Sequence, residues 1–176
     1  MLDRWTMPMT QGPLQTLATK LAGRVSPNQV TLLGFIVGMS ALPLLAFEYY
    51  ALALVAIIIN RISDGLDGAL ARLTGKSSDA GGFLDIGLDF VFYAAVVLGF
   101  ALARPEENAL AAAFLLFAFI GTGTSFLAFA IAAKDQHRTR PDLPNKAFYY
   151  LEGLTEGTET VAALVLFCLF QAILPG

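Results

Sequence analysis

Five aspartates, Asp64, Asp67, Asp79, Asp85 and Asp89, fall within DGLDGALARLTGKSSDAGGFLDIGLD, residues 64–89. The stretch lies between ALALVAIII and FVFYAAVVLGFALA, two runs suited to lipid rather than water. Carboxylates are costly there: an Asp at the centre of a bilayer-spanning helix carries a penalty of about 2.5–3.5 kcal/mol on insertion scales. Ionisable groups kept within a span are therefore functional candidates. Asp64 and Asp67 stand one helical turn apart on one face, with Gly68, Ala71 and Arg72 on or beside it. Asp85 and Asp89 are spaced i, i+4 and share a face of the next helix. The short turn TGKSSDAGG makes the two helices antiparallel neighbours. Asp64 is then deeper than Asp67, Asp89 is deeper than Asp85, and four carboxylates converge in one cavity. Asp79 sits in the turn, outside both spacings, and reads as a carboxylate facing water.

Four like charges repel unless cations neutralise them. Hard oxygen ligands suit Mg²⁺, Mn²⁺ or Ca²⁺. Two divalent ions would balance the four charges and grip a diphosphate. Gly68, Ala71, Gly81 and Gly82 are small residues where backbone or ligand comes close. Arg72, at the membrane surface, offers a fork of donors to phosphate.

The elements that must position these groups are membrane spans. The chain has 176 residues, is 56% hydrophobic and has a mean hydropathy of +0.66, against about 45–50% apolar for a soluble domain. Its formal charge of -3, with no basic stripe, excludes nucleic acid as a partner. The single Cys168 excludes a disulfide framework and a cysteine zinc site. The N-terminus has no apolar core of a cleavable signal peptide. Five spans are predicted, at about 27–47, 49–73, 81–103, 110–133 and 148–174. Ser26-Pro27 reads as an N-cap and first helical residue, and Pro43 as a kink. Before the first span, PLQTLATKLAGR puts Leu14, Leu17, Ala18 and Leu21 on one face of a short amphipathic helix lying on the membrane. The fold class is thus an all-α membrane protein, with a juxtamembrane segment over 1–25 and a transmembrane domain over 26–176.

Lys and Arg set the orientation. Arg4, Lys20 and Arg24 precede span one, Arg72 and Lys76 flank the second-to-third turn, and Lys134, Arg138, Arg140 and Lys146 fill the fourth-to-fifth loop. The positive-inside rule places all three in the cytoplasm, and with them the carboxylate cluster. The other two turns hold only Glu48, and Arg104 beside Glu106 and Glu107.

Asp64-x2-Asp67-Gly68-x2-Ala71-Arg72-x8-Gly81-x3-Asp85-x3-Asp89 resembles, at all eight positions, the signature of the CDP-alcohol phosphotransferases, and most closely that of bacterial inner-membrane members with no assigned acceptor. Pro27-Asn28-x2-Thr31 resembles the opening of that family's first span. The resemblance implies a bundle of usually six transmembrane helices, so five spans leave this chain one short. It implies two divalent cations, Mg²⁺ or Mn²⁺, a CDP-linked donor such as CDP-diacylglycerol, an acceptor alcohol, and release of CMP in phospholipid synthesis at the inner membrane. By the same resemblance Asp64, Asp67 and Asp85 are metal ligands, and Asp89 is a ligand or the general base. Gly68, Ala71, Arg72 and Gly81 line the CMP site, and Asn28 lies toward the phosphates.

Glu152, Glu156 and Glu159 recur at i, i+4, i+7 at the start of span five, near Tyr149. Glu156 and Glu159 read equally as acceptor-binding groups and as partners of Arg61 or the loop arginines; Glu152 reads as interfacial. His137 reads as solvated. GTGTS at 121–125 is a close helix-packing surface and a candidate homodimer contact. Two other readings compete. A divalent-cation transporter would also hold intramembrane acids but would not need Ala71-Arg72 or glycines at these offsets. An intramembrane prenyltransferase would spread its acidic motifs over two distant helix pairs.

Overall fold

The structure, a computed structural model, describes residues 3–76, 79–139 and 157–173, with side chains described over 12–76, 81–128 and 159–171. The described residues form seven α-helices and no strand: α1 (Asp3–Leu21), α2 (Pro27–Met39), α3 (Ala41–Ala46), α4 (Tyr50–Thr74), α5 (Asp79–Ala103), α6 (Pro105–Thr139) and α7 (Gly157–Ile173). The chain is an all-α membrane protein, as its composition requires. Three stretches are long and apolar enough to cross a bilayer: Pro27–Ala46, Gly81–Ala103 and Pro105–Ala128. Much of their apolar surface faces outward. Along α6, Leu110, Phe114, Phe117 and Ile120 are each at least 66% exposed. Their i, i+3, i+4 spacing makes a continuous stripe, which lipid solvates and water would not. α4 is long enough to span, about 37 Å at 1.5 Å per residue, but its second half carries the charges of the acidic motif. The described Glu159–Gln171 is a shorter apolar segment.

Local chemistry accounts for the helix ends. Ser26 caps α2: its hydroxyl accepts from Gln29 N at 3.3 Å, while Ser26 N donates to Gln29 Oε1 at 2.9 Å. Pro27 follows at the first helical position, where its missing N–H costs nothing. The span read as 27–47 breaks at Ser40, because Pro43 has no N–H for the Met39 carbonyl four residues earlier. Gly75 ends α4 in the left-handed conformation at φ 65°, with Lys76 N donating to Ala71 O at 3.0 Å. At the other end of the bundle, Arg104 Nε donates to Glu48 Oε1 at 3.5 Å. That contact joins the 47–49 turn to the α5–α6 turn, so the two turns assigned to one side of the membrane do lie at one end.

Three expectations are corrected. The N-terminal helix is not confined to 13–24: α1 begins at Asp3. Its face also packs on protein. Leu14, Ala18 and Leu21 meet Leu66, Ala69 and Leu70 of α4, with Gly65 leaving room for Leu14. Asp79 is the first residue of α5 rather than part of the turn. Finally, α4 and α5 are not packed along their backbones. α4 lies chiefly against α2 and α1, and α5 against α6 and α3. The α2–α3 pair touches both and stands as a wedge between them, which leaves a gap that long side chains bridge: Tyr50 stacks on Phe100 at one level, and Arg61 reaches Asp89 at another.

The wedge is seated by small residues. Gly34 and Gly38 sit i, i+4 on α2 and let it approach α4 closely. A Cβ at Gly34 would collide with Ser63, and one at Gly38 would lie 2.8 Å from Asn60 Cβ and Nδ2. Gly38→Leu is therefore expected to cost about 1–3 kcal/mol through overpacking. Thermal unfolding in detergent reads this directly, and an unchanged Tm would contradict so close an approach.

Candidate active site

All four motif carboxylates line one cleft. Asp64 and Asp67 come from α4, Asp85 and Asp89 from α5, and Thr31, Phe35, Asn60, Arg61 and Leu88 complete the wall. The space these side chains leave between them is small.

Each carboxylate has a distinct environment. Asp67 is the most enclosed, 5% exposed, and accepts a hydrogen bond on Oδ2 from the Thr31 hydroxyl of α2. That gives the threonine of the Pro-Asn-x2-Thr opening a function: it orients a carboxylate on the neighbouring helix. Asp85 Oδ1 is buried and accepts no hydrogen bond. Asp89 is gripped by Arg61, whose Nη2 lies 2.5 Å from Oδ1 and Nη1 3.3 Å from Oδ2. The Tyr93 hydroxyl donates to Asp89 Oδ2 at 3.2 Å and accepts from Arg61 Nη1 at 3.0 Å. Asp64 lies 3.7 Å from the same Nη1.

The donor set fits a hard divalent cation. It is made of carboxylate oxygens alone, and one of them is buried with an acceptor site unfilled, which a native structure seldom leaves unexplained. No group of three or more His, Cys, Asp or Glu among the described residues is drawn into a closed ligand set. The guanidinium of Arg61 already lies between Asp64 and Asp89.

The remaining expected site residues lie around this cleft rather than in its wall. Gly68, Ala71 and Arg72 continue along α4 toward its C-terminal end. Arg72 is exposed, and its guanidinium folds back over Gly68, 3.4 Å from where a Cβ would stand. Gly81 is half-buried in the first turn of α5. Asn28 is exposed on the first turn of α2 and does not reach the cleft wall. Glu159 is half-buried in the first turn of α7. Glu152, Glu156 and Tyr149 lie outside the described residues, as does the side chain of His137.

Three residues of the network carry no signature of their own. Asn60 and Tyr93 look like isolated polar groups in apolar runs, and Arg61 looks like a partner for glutamates rather than for Asp89. The signal that could have found them is chemical: an amide, a guanidinium and a phenol inside a span need partners. The Gly34-x3-Gly38 pair was a readable sign that α2 would come close to α4.

Comparison with known proteins agrees with this geometry. The sequence model of the CDP-alcohol phosphatidyltransferase family matches residues 24–174. The chain is 55% identical over 174 residues to the inner membrane protein YnjF of Escherichia coli K12, covering 98% of this chain and 84% of that one. It is 38% identical over 100 residues to archaetidylinositol phosphate synthase of Pyrococcus horikoshii, covering 54% of this chain and 51% of that enzyme. Over 114 residues it is 32% identical to cholinephosphotransferase 1 of Gallus gallus, covering 58% of this chain and 33% of that enzyme. A match that runs through nearly every described helix, and spans the helices that carry the carboxylate cleft, establishes that the chain belongs to the CDP-alcohol phosphatidyltransferase family of membrane phosphotransferases.

Proposed function

We propose that this transferase moves a phosphatidyl group from CDP-diacylglycerol to an acceptor alcohol, with release of CMP. One observation carries the reading: the four carboxylates of the motif meet in a single small cleft beside apolar helices, with an oxygen of Asp85 left without a donor. A lipid donor suits such a site, because its charged diphosphate can enter the cleft while its acyl chains stay in the bilayer.

Asp64, Asp67 and Asp85 would hold two divalent cations, Mg²⁺ or Mn²⁺, with Asp89 at the edge of the set. Bound there, the cations offset negative charge on the phosphoryl oxygens. The acceptor oxygen forms a bond to the phosphorus that carries the lipid, and the bond from that phosphorus to the CMP oxygen breaks. CMP leaves with the bonding pair, and the acceptor proton passes to a carboxylate oxygen of Asp89. Gly68, Ala71 and Gly81 would leave room for the nucleotide, Arg72 would fork onto its phosphates, and Asn28 would approach from α2. Glu156 and Glu159 would bind the acceptor. By the positive-inside rule this end of the bundle, and the N-terminus, would face the cytoplasm, a reading supported by the distribution of Lys and Arg. Residues 26–176 would form the transferase domain, and residues 1–25 its juxtamembrane segment.

The decisive experiment supplies membranes carrying the protein with CDP-diacylglycerol and a panel of alcohols, and follows CMP and new lipid by mass spectrometry. Absence of CMP release with every alcohol would overturn the reading. Within it, Arg72→Ala is expected to raise the donor KM about tenfold, the loss of one charge-assisted contact, while the acceptor KM changes little. Unchanged donor kinetics would remove Arg72 from the nucleotide site.

A further inference from the structure

Arg61 stands outside the motif, yet it is the cation around which the cleft is arranged. Its guanidinium is fixed from three helices. On α4, the adjacent Asn60 accepts from Nε at 2.9 Å and from Nη2 at 2.6 Å. Asn60 is itself held on α2, where its Nδ2 donates to Gly34 O at 3.1 Å. From α5, Asp89 receives the fork, and Phe92 and Tyr93 place their rings 5.1 and 5.3 Å from the guanidinium carbon. Few side chains could take this place. A lysine offers a point charge without a fork, and stacks less well on aromatic faces.

The fork has two consequences. Both oxygens of Asp89 are engaged by one rigid plane, so the direction of its remaining lone pairs is set by Arg61. Electrostatically, the cleft wall contains four carboxylates and, among the described residues, one cation. That cation is shared by Asp89 and Asp64, whereas Asp85 keeps an oxygen with no partner. We infer that Arg61 is a positioning residue and the resident counter-cation of the cleft: it fixes the plane of the Asp89 carboxylate for transfer, and it competes with divalent cations for Asp64 and Asp89. The inference rests on reading the cleft as a metal-carboxylate transfer site. A residue that only ties α4 to α5 makes the opposite prediction for cation binding, since loosening the helices would weaken it.

The test uses the full chain in detergent, with Mn²⁺ alone as probe and the free-ion electron paramagnetic resonance signal as readout, alongside steady-state CMP release. Arg61→Gln removes the charge and keeps donors. It is expected to bind Mn²⁺ about tenfold more tightly, since it removes a positive charge a few ångströms from the ligands. Its kcat is expected to fall about 100-fold, the scale of a misaligned reacting group, with donor KM within about twofold of wild type, since transfer geometry rather than donor binding is lost. Arg61→Lys keeps the charge and loses the fork: wild-type Mn²⁺ affinity with a reduced kcat is the expected pair. Should Arg61→Gln not fold, the lysine variant alone decides, because full kcat in it overturns the positioning role and tightened Mn²⁺ binding overturns the counter-cation role. Mn²⁺ affinity in Arg61→Gln equal to or weaker than wild type also overturns the inference. Wild-type protein that neither binds Mn²⁺ nor releases CMP overturns the transferase reading itself, an outcome distinct from active wild type with indifferent Arg61 variants.

Discussion

Asp64→Asn, Asp67→Asn and Asp85→Asn are each expected to abolish CMP release, a fall of at least about 1,000-fold, larger than the loss of a single oxyanion-hole donor and in keeping with the removal of charge stabilisation from the transition state. The three carboxylates differ in their surroundings but share one cleft wall. Asp67 is buried and tied to Thr31, so its amide would keep a hydrogen bond and lose only the charge. Asp85 has a buried oxygen with no donor, so its amide would put either one unmatched oxygen of lower charge or an N–H at that position. Asp64 shares Arg61, so neutralising it leaves the guanidinium to Asp89 alone. Chelation should reproduce the same loss in the wild type, and Mg²⁺ or Mn²⁺ should restore it. CMP release by chromatography is the measurement, with detergent gel filtration to show that each variant is folded. Near-normal turnover in any one variant would remove that residue from the metal set, and turnover surviving thorough chelation would remove the metals.

How far the sequence reaches can be judged from particular residues. Asp64, Asp67, Asp85 and Asp89 were legible because helical periodicity is local: residues three and four apart share a face whatever lies around them. Ser26-Pro27 was legible for the same reason, since a cap needs only the three residues that follow it. The α4–α5 arrangement was less legible. A short turn predicts antiparallel neighbours, but nothing local states that α2 and α3 will wedge between them, because that depends on which small residues face which helix. Gly34 and Gly38 against Asn60 and Ser63, and Gly99 against Leu45, are long-range pairs. The same limit hid the partner of Arg61. Its charge announced that a carboxylate must be near, but Glu156, Glu159 and Asp89 all satisfy that demand in sequence, and it is the packing of α5 that brings Asp89 to it. Span limits also blurred at α6, which continues through 139 because polar residues past the lipid boundary are still good helix formers.

Asp89→Asn is expected to retain CDP binding while transfer falls by about 10²–10⁴-fold, the usual contribution of a general acid–base group. Asp89 lies one turn below Asp85 on α5, so it faces the deeper part of the cleft. Its position argues for contact with the acceptor hydroxyl rather than with the nucleotide. The Arg61 fork and the Tyr93 hydroxyl hold the plane of the carboxylate, so its free lone pairs have a fixed direction toward the acceptor. The amide cannot take the acceptor's proton. Removing one partner of a buried pair can also destabilise a fold, but here Asp64, Asn60 and Tyr93 remain around the guanidinium, which limits the structural cost. Glu156→Gln and Glu159→Gln serve as the contrast. Each should raise the acceptor KM while leaving the donor KM nearly unchanged, with an effect well below that of Asp89→Asn. Equilibrium binding of CDP and single-turnover CMP release separate the possibilities. Loss of CDP binding in Asp89→Asn makes Asp89 a metal ligand and not the base, whereas a donor KM that moves in the glutamate variants makes those two glutamates structural.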